Sequence, residues 1–273
     1  MTPHNNAHPL HAPFLRLWYA APAALADPAV EQACAELLDE PERARAARFH
    51  FARHRHEFLA THALARTALS QAHPLPPRDW SYTLGKYGKP APAPPCGLAF
   101  NQSNSVDLAV CLIGRLGDDG EVGGEIGVDV EPFHRAASIL PLVTKVFSPA
   151  EREQLAALPV ADQPLRALSL WTLKESYIKA RGLGLALPLS KISFLFGGDE
   201  GLRLKADPVV EPDCARWRFC QLDREGHRIS LAVETTGRTP PALEIFPAQP
   251  PFTEPVLPVP GNASWFPRSG QRT

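Results

Sequence analysis

The chain has 273 residues, of which 28 are Lys or Arg and 29 are Asp or Glu, for a formal net charge of -1. That balance excludes a protein whose whole surface is built to hold nucleic acid or an anionic membrane. A hydrophobic content of 44% excludes global disorder, and the 30 prolines come without the glycine repeat of a collagen.

The opening segment, Met1–Pro13, is rich in His and Pro and has neither a basic start nor an apolar run, so it reads as a flexible N-terminal segment and not as a secretory signal. Phe14–Tyr19 (FLRLWY) predicts a first strand. Asp27-Pro28 supplies an N-cap and a first-turn proline for a helix to about Leu38. A longer helical pattern runs from Pro41 to about Ser70, with Phe58, Leu59, Leu64, Ala65 and Leu69 at near-helical spacing. His73–Arg78 is a proline-bearing loop, Trp80–Leu84 a short strand, Pro90–Pro95 a second proline-rich loop and Val106–Ile113 an apolar strand. Gly117, Gly120, Gly123 and Gly124 mark an internal boundary.

The second half starts on a strand, IGVDVE from Ile126. Ser148-Pro149-Ala150-Glu151 is a capping box that opens a helix to about Leu158. Leu165–Arg181 is a further helix, with Gly182 and Gly184 as candidate C-caps. Strands are expected near Ile192–Phe196, Arg216–Leu222, Ile229–Glu234 and Leu243–Phe246. From Pro247 onward, seven of 27 residues are proline, and Phe252, Trp265 and Phe266 are the side chains able to anchor that tail. The reading divides the chain into 1–13, an N-terminal half 14–124, a C-terminal half 125–246 and a Pro-rich tail 247–273. No stretch approaches the roughly 18 consecutive apolar residues of a membrane span. Five cysteines without a Cys-x-x-Cys pair fit reduced thiols in a cytoplasmic protein.

Four groups of residues carry candidate chemistry. In Gly127-Val128-Asp129-Val130-Glu131, strand alternation puts Asp129 and Glu131 on one face and the valines on the other. Two such carboxylates repel, and either solvent at a strand end or a hard divalent cation resolves the conflict. In the second helix of the C-terminal half, Trp171, Glu175 and Lys179 step by four along one face. They form either a surface Glu–Lys pair or a third carboxylate with an ammonium beside an anionic substrate. Arg43, Arg45, Arg48, Arg53, Arg55 and Arg66, interrupted only by the acid Glu57, make a basic helical stretch. It reads as a solvated face, a phosphate-binding surface or a dock for an acidic partner. His50 and His54 are four apart but lack the His-Glu-x-x-His pattern of a zinc site. Finally, Lys86-Tyr87-Gly88-Lys89-Pro90 and Phe100-Asn101-Gln102-Ser103-Asn104-Ser105 read as polar loops.

Taken in order, Arg-Phe-His-x-x-Arg-His-Arg, Tyr-Gly-Lys-Pro, Phe-Asn-x-Ser-x-Ser, Gly-Val-Asp-Val-Glu and Trp-x-x-Lys-Glu-Ser-Tyr-x-Lys-x-x-Gly-x-Gly-Leu, between Arg48 and Phe194, resemble a 4′-phosphopantetheinyl transferase of the Sfp type. The resemblance implies an α+β fold of two similar halves in a pseudo-two-fold arrangement. Coenzyme A would lie between the halves, and Mg²⁺ would assist transfer of phosphopantetheine to a serine of an apo acyl or peptidyl carrier protein. A monomer is expected, and the near-zero charge and the cysteines point to a cytoplasmic protein with no nucleic-acid or membrane partner. Carried over residue by residue, the resemblance assigns Asp129, Glu131 and Glu175 to the metal, and Glu175 and Lys179 to catalysis. Arg48, Arg53, Lys86, Lys89, Ser103, Asn104 and Lys179 fall to CoA. The family's usual Ser-His-Ser reads Ser103-Asn104-Ser105 here. An amide donates hydrogen bonds but carries no charge, and a non-catalytic relative that binds CoA or a carrier is the alternative it raises.

Overall fold

The structure, a computed structural model, describes residues 13–115, 124–197, 201–235, 240, 242–259 and 264–266. Residues 1–12 of the expected flexible segment 1–13 and most of the glycine-rich boundary lie outside the described residues.

In chain order the elements are β1 (Phe14–Ala20), α1 (Pro28–Glu36), α2 (Glu40–Ala46), α3 (Ala52–Ala72), β2 (Ser81–Leu84), β3 (Pro90–Ala93), β4 (Ala99–Ser105), β5 (Leu108–Arg115) and β6 (Ile126–Pro132). They continue with α4 (Ala136–Ile139), α5 (Val143–Val146), α6 (Pro149–Ala156), α7 (Gln163–Arg181), β7 (Ile192–Gly197), β8 (Gly201–Ala206), β9 (Trp217–Arg224), β10 (His227–Glu234), β11 (Leu243–Pro247) and β12 (Ser264–Phe266).

Two four-stranded sheets organise the molecule, in the orders β11-β1-β5-β4 and β12-β9-β10-β6. Within each, the half's first strand pairs antiparallel with the second strand of a hairpin: β1 with β5 of β4–β5, and β6 with β10 of β9–β10. The topology therefore repeats, and it is the mixed α+β fold of two similar halves expected above.

Alternation along the strands builds the layers. Leu15 and Leu17 of β1, Leu108, Val110 and Leu112 of β5, Ile126, Val128 and Val130 of β6 and Ile229, Leu231 and Val233 of β10 fill one core between the two sheets. The opposite faces, with Trp18, Cys111 and Ile113 on one sheet and Phe219 and Ala232 on the other, pack beneath α3 and α7 respectively. Apolar residues on both faces explain why the central strands read as continuous hydrophobic runs.

Local signals fix the element ends. Asp27 accepts a hydrogen bond from the Ala29 amide, and Ser148 accepts from Glu151 while the Glu151 carboxylate receives the Ser148 amide. Gly182 ends α7 in the left-handed region at φ 58°, a conformation that favours glycine. Glu151 is also fully buried against the equally buried Lys174, 2.9 Å away, whose ammonium donates to the Leu189 carbonyl as well.

Four expectations are corrected. The single helix from Pro41 to Ser70 is two, α2 and α3, because the chain turns through residues 47–51 and Phe49 packs against Phe58 on the core under α3. The polar stretch Phe100–Ser105 is a strand, not a loop, since the polar side chains of β4 bond to β6 instead of to water. Part of the proline-rich loop, Pro90–Ala93, pairs with β2 in a two-stranded sheet, where prolines are tolerated because every strand is an edge. Leu243–Phe246, placed in the C-terminal half by sequence order, belongs to the first sheet as β11, parallel to β1, with Phe246 stacked on Trp18 at 4.4 Å.

The Pro-rich tail lies across both halves. Ala248 and Phe252 are buried on the first core, Trp265 packs into the core between the sheets and Phe266 against that under α7. β12 pairs with β9. Among the described residues no helix is long and apolar enough to cross a membrane.

Candidate active site

β4 and β6 are the edge strands of their sheets, and they meet through side chains. The odd-numbered residues of β4 form a ladder: Asn101 Oδ1 accepts from the Val128 amide at 2.9 Å, Ser103 Oγ donates to Asp129 Oδ1 at 3.1 Å and Ser105 Oγ donates to Glu131 Oε2 at 3.2 Å. This seam joins the two halves, and the two acids of β6 lie on it.

Gly127 shares the Asp129 face of β6, and α7 crosses directly over it. A Cβ at Gly127 would sit 2.0 Å from the Ser176 carbonyl oxygen and 2.4 Å from the Ala180 amide nitrogen. Only glycine permits that approach, which brings Glu175 and Lys179 onto the acids of β6. Between Leu170 and Ala180 the positions of α7 left partly accessible are Trp171, Glu175 and Lys179, and the rest are buried. The step of four read from the sequence is thus a ridge overlooking the seam.

Lys179 does not pair with Glu175. Its ammonium lies 2.7 Å from Asp129 Oδ1 and 2.6 Å from Ser103 Oγ. Asp129 is 5% exposed, and its other oxygen, Oδ2, is buried without a hydrogen-bond partner. Glu131 Oε2 receives Arg135 at 2.8 Å as well as Ser105, and the Trp171 side chain also hydrogen-bonds to this carboxylate. Burial raises the Glu131 carboxyl above its ordinary range, and the neighbouring Asp129 charge adds to this. Glu175 is raised further, to about 7, first by burial and then by the Asp129 charge, with Lys179 opposing.

This has a consequence for stability. The folded-state pKa of Glu175 exceeds the unfolded value of 4.5, so the fold favours the protonated acid. Its favourable contribution is present below pH 4.5 and is lost as pH rises through about 7. Without metal or CoA, Glu175→Gln is therefore expected to raise Tm by roughly 4 °C at pH 8 and by much less at pH 5. Calorimetry at the two pH values checks it, and equal shifts at both would contradict it.

No three His, Cys, Asp or Glu side chains converge closely enough to hold a metal ion among the described residues. The chemistry nevertheless fits Mg²⁺, which takes one or two carboxylates and completes its shell with water and substrate phosphate. The orphaned Asp129 Oδ2 is a buried anionic oxygen with an unused acceptor, and Glu175 and Glu131 are acids whose charge the site disfavours.

The remaining predicted residues are placed as follows. Lys89 sits on the β2–β3 turn with its stem against Gly182 and its ammonium on the Ala180 carbonyl, which anchors that turn to the end of α7. Burial lowers its pKa, opposed by Glu125 and Glu234. Lys86 is exposed, its ammonium over the Tyr87 ring. Asn104 points away from the ladder and is exposed. Arg48 and Arg53 are exposed near the start of α3, with Arg53 close to Glu57 and His54. Among the described residues Arg48 and Arg53 form no hydrogen bond or ion pair with the carboxylates of β6 and α7, whereas Ser103, Asp129 and Lys179 are joined by hydrogen bonds, with Glu131 and Glu175 close enough for their charges to interact.

The basic stretch is largely neutralised by acids from α1 and α2. Arg55 pairs with Glu31 and Arg43 with Glu40, while the fully buried Arg66 pairs with Asp39 and Glu42, each at 2.7 Å. Arg45 and Arg48 are exposed on it, as is Arg53, which lies 3.5 Å from Glu57. Sequence reading did not single out Asn101 or Arg135. The signal for Asn101 was the alternation of polar residues at 101, 103 and 105, matching the alternation of acids at 129 and 131.

Comparison with known proteins gives a consistent picture. The family model of the 4′-phosphopantetheinyl transferase superfamily matches residues 125–232. The chain is 31% identical over 181 residues to the 4′-phosphopantetheinyl transferase HetI of Nostoc sp., covering 65% of this chain and 73% of that protein. It is 31% identical over 172 residues to a 4′-phosphopantetheinyl transferase of Bacillus subtilis, covering 63% and 72%. A solved holo-(acyl-carrier-protein) synthase from Bacillus anthracis, in complex with CoA, aligns with TM-score 0.34 and 17% identity over 40% of this chain and 94% of that one.

Proposed function

Because the chain belongs to the 4′-phosphopantetheinyl transferase superfamily, we propose that it transfers the 4′-phosphopantetheine group of coenzyme A to a serine of an apo carrier protein. The serine oxygen forms a bond to the phosphorus that carries the pantetheine. The bond from that phosphorus to the bridging pyrophosphate oxygen breaks, and adenosine 3′,5′-bisphosphate leaves with the electron pair. The observation that carries the reading is the convergence of Asp129, its unpartnered Oδ2, Glu175 and Lys179 on the seam between the halves.

Each residue has a role suited to its surroundings. Glu175 stands on the partly accessible ridge of α7, its carboxyl raised to about 7 in the metal-free protein, and it accepts the serine proton. Lys179 offers an ammonium to the pyrophosphate, and Asp129, with one of the acids Glu175 and Glu131, would hold Mg²⁺. Bound there, Mg²⁺ supplies positive charge to the pyrophosphate oxygens. Ser103 presents its hydroxyl at the same point, and Arg48, Arg53, Lys86, Lys89 and Asn104 flank CoA from the N-terminal half. The nucleophile comes from the carrier, so the chain needs no serine of its own for the purpose.

One chain contributes every group of the cluster, which supports a monomer as the working unit. Its five unpaired cysteines support a reducing, cytoplasmic setting. The test is intact mass spectrometry of a panel of apo acyl and peptidyl carriers incubated with the protein, CoA and Mg²⁺. At least one carrier is expected to gain the mass of one phosphopantetheine. CoA binding with no gain on any carrier would favour the non-catalytic alternative that Asn104 raises.

A further inference from the structure

The partner Lys179 has chosen makes it more than a phosphate ligand. Asp129 is nearly inaccessible to solvent, and an ionised carboxylate in that position needs a counter-charge. Lys179 supplies it, with its ammonium 2.7 Å from Oδ1 and steadied by Ser103 Oγ at 2.6 Å. A divalent cation taking the unpartnered Oδ2 would share this one buried carboxylate with the ammonium on Oδ1, in a site of low dielectric. Two cations so close repel strongly. The side chain of Lys179 is partly accessible, and its long stem leaves the ammonium free to reach elsewhere.

We propose that Lys179 is the built-in counter-ion of Asp129 in the metal-free enzyme and is exchanged for the divalent cation when the site is loaded. This rests on the transferase reading above and deepens it. Loading the site releases the ammonium, which becomes available to the CoA pyrophosphate only then. The metal-free enzyme keeps its buried carboxylate neutralised and its phosphate-seeking cation engaged. A cation at Asp129 and an anion at Lys179 therefore favour one another's binding, and the coupling is reciprocal.

The probe is Mn²⁺ alone, titrated into the full chain without CoA, with free Mn²⁺ followed by electron paramagnetic resonance. Lys179→Met removes the competing cation and is expected to tighten Mn²⁺ binding at least ~5-fold. It is also expected to lower Tm in the absence of metal and to show a larger Mn²⁺-induced rise in Tm than wild type. Lys179→Gln, which keeps a donor toward Asp129, is expected to tighten binding in the same direction and serves if the Met variant does not fold. A lysine that merely braces the site would give variants that bind Mn²⁺ as wild type does or more weakly, and that result would overturn the exchange. The carrier mass assay on wild type stands apart from this. Tightened Mn²⁺ binding without carrier modification would remove the transferase reading alone, and carrier modification with unaltered Mn²⁺ binding would remove the exchange alone.

Discussion

Asp129→Asn is expected to reduce carrier modification on the order of 10³-fold or more while leaving the protein folded. The substitution keeps the shape of the side chain and leaves an amide oxygen for Ser103 Oγ, so the ladder between β4 and β6 persists. What it removes is the negative charge at the centre of the cluster, and with it the strongest reason for a cation to reside there. Phosphoryl transfer depends almost wholly on positioning and on charge placed against the reacting phosphate, and losing one preorganised electrostatic group of this kind typically costs ~10²–10³ in rate. On the proposed reading, the loss of a carboxylate that would hold the metal adds to that. The check is the initial rate of mass gain on a competent carrier, with circular dichroism and Tm alongside. A folded Asp129→Asn enzyme working within tenfold of wild type would remove Asp129 from the reaction.

The second large effect comes from a residue with no side chain. In Gly127→Ala, the added methyl would stand 2.0 Å from the Ser176 carbonyl oxygen and 3.0 Å from the Ala180 Cα. All the atoms it meets are backbone, so no rotamer change relieves the clash. α7 has to retreat from β6, although Leu173, Tyr177 and Ala180 beside the contact are completely buried. Overpacking of a well-filled core costs ~1–3 kcal/mol even where side chains adjust. Here a loss of at least about 3 kcal/mol is expected, seen as a fall in Tm of roughly 6–12 °C. The same retreat draws Glu175 and Lys179 off the acids of β6, so activity per folded molecule falls too. Thermal melts and carrier assays below the lowered Tm separate the two. A variant as stable and active as wild type would mean that the helix does not depend on this approach.

The parts of the molecule written in local pattern were legible beforehand. The Ser148–Glu151 capping box, the Gly182 terminus and the alternation of Val128, Asp129 and Val130 all use interactions within a few residues, so one sequence suffices to find them. The step of four from Trp171 to Lys179 likewise predicted a ridge. What escaped were features settled by partners distant in the chain. Phe100–Ser105 has the polarity of a loop, and it is a strand because Asp129, Glu131 and the Val128 amide satisfy its side chains. Spacing offered Lys179 only Glu175, four residues away, and it pairs instead with Asp129, 50 residues away. The basic stretch resembled an open positive field because the acids that neutralise it, Glu31, Asp39, Glu40 and Glu42, all precede Arg43 in the chain and lie outside the stretch.

β11 also bears on how the chain comes off the ribosome. Its pairing with β1 joins residues as far apart as Arg16 and Glu244, 228 positions from one another. The first sheet is therefore finished only after β6, β9 and β10 have all been synthesised. Until then β1 presents one bare edge, with Leu15, Leu17 and Trp18 on a strand that in the finished protein is interior. An open hydrophobic edge invites pairing with other chains, and long-range closure of this kind is slow. The nascent N-terminal half thus needs shielding along β1 until Leu243–Pro247 has emerged. A break made in the glycine-rich connection between β5 and β6 would yield two fragments that complement each other in trans, since the piece starting at β6 carries the strand the other one lacks.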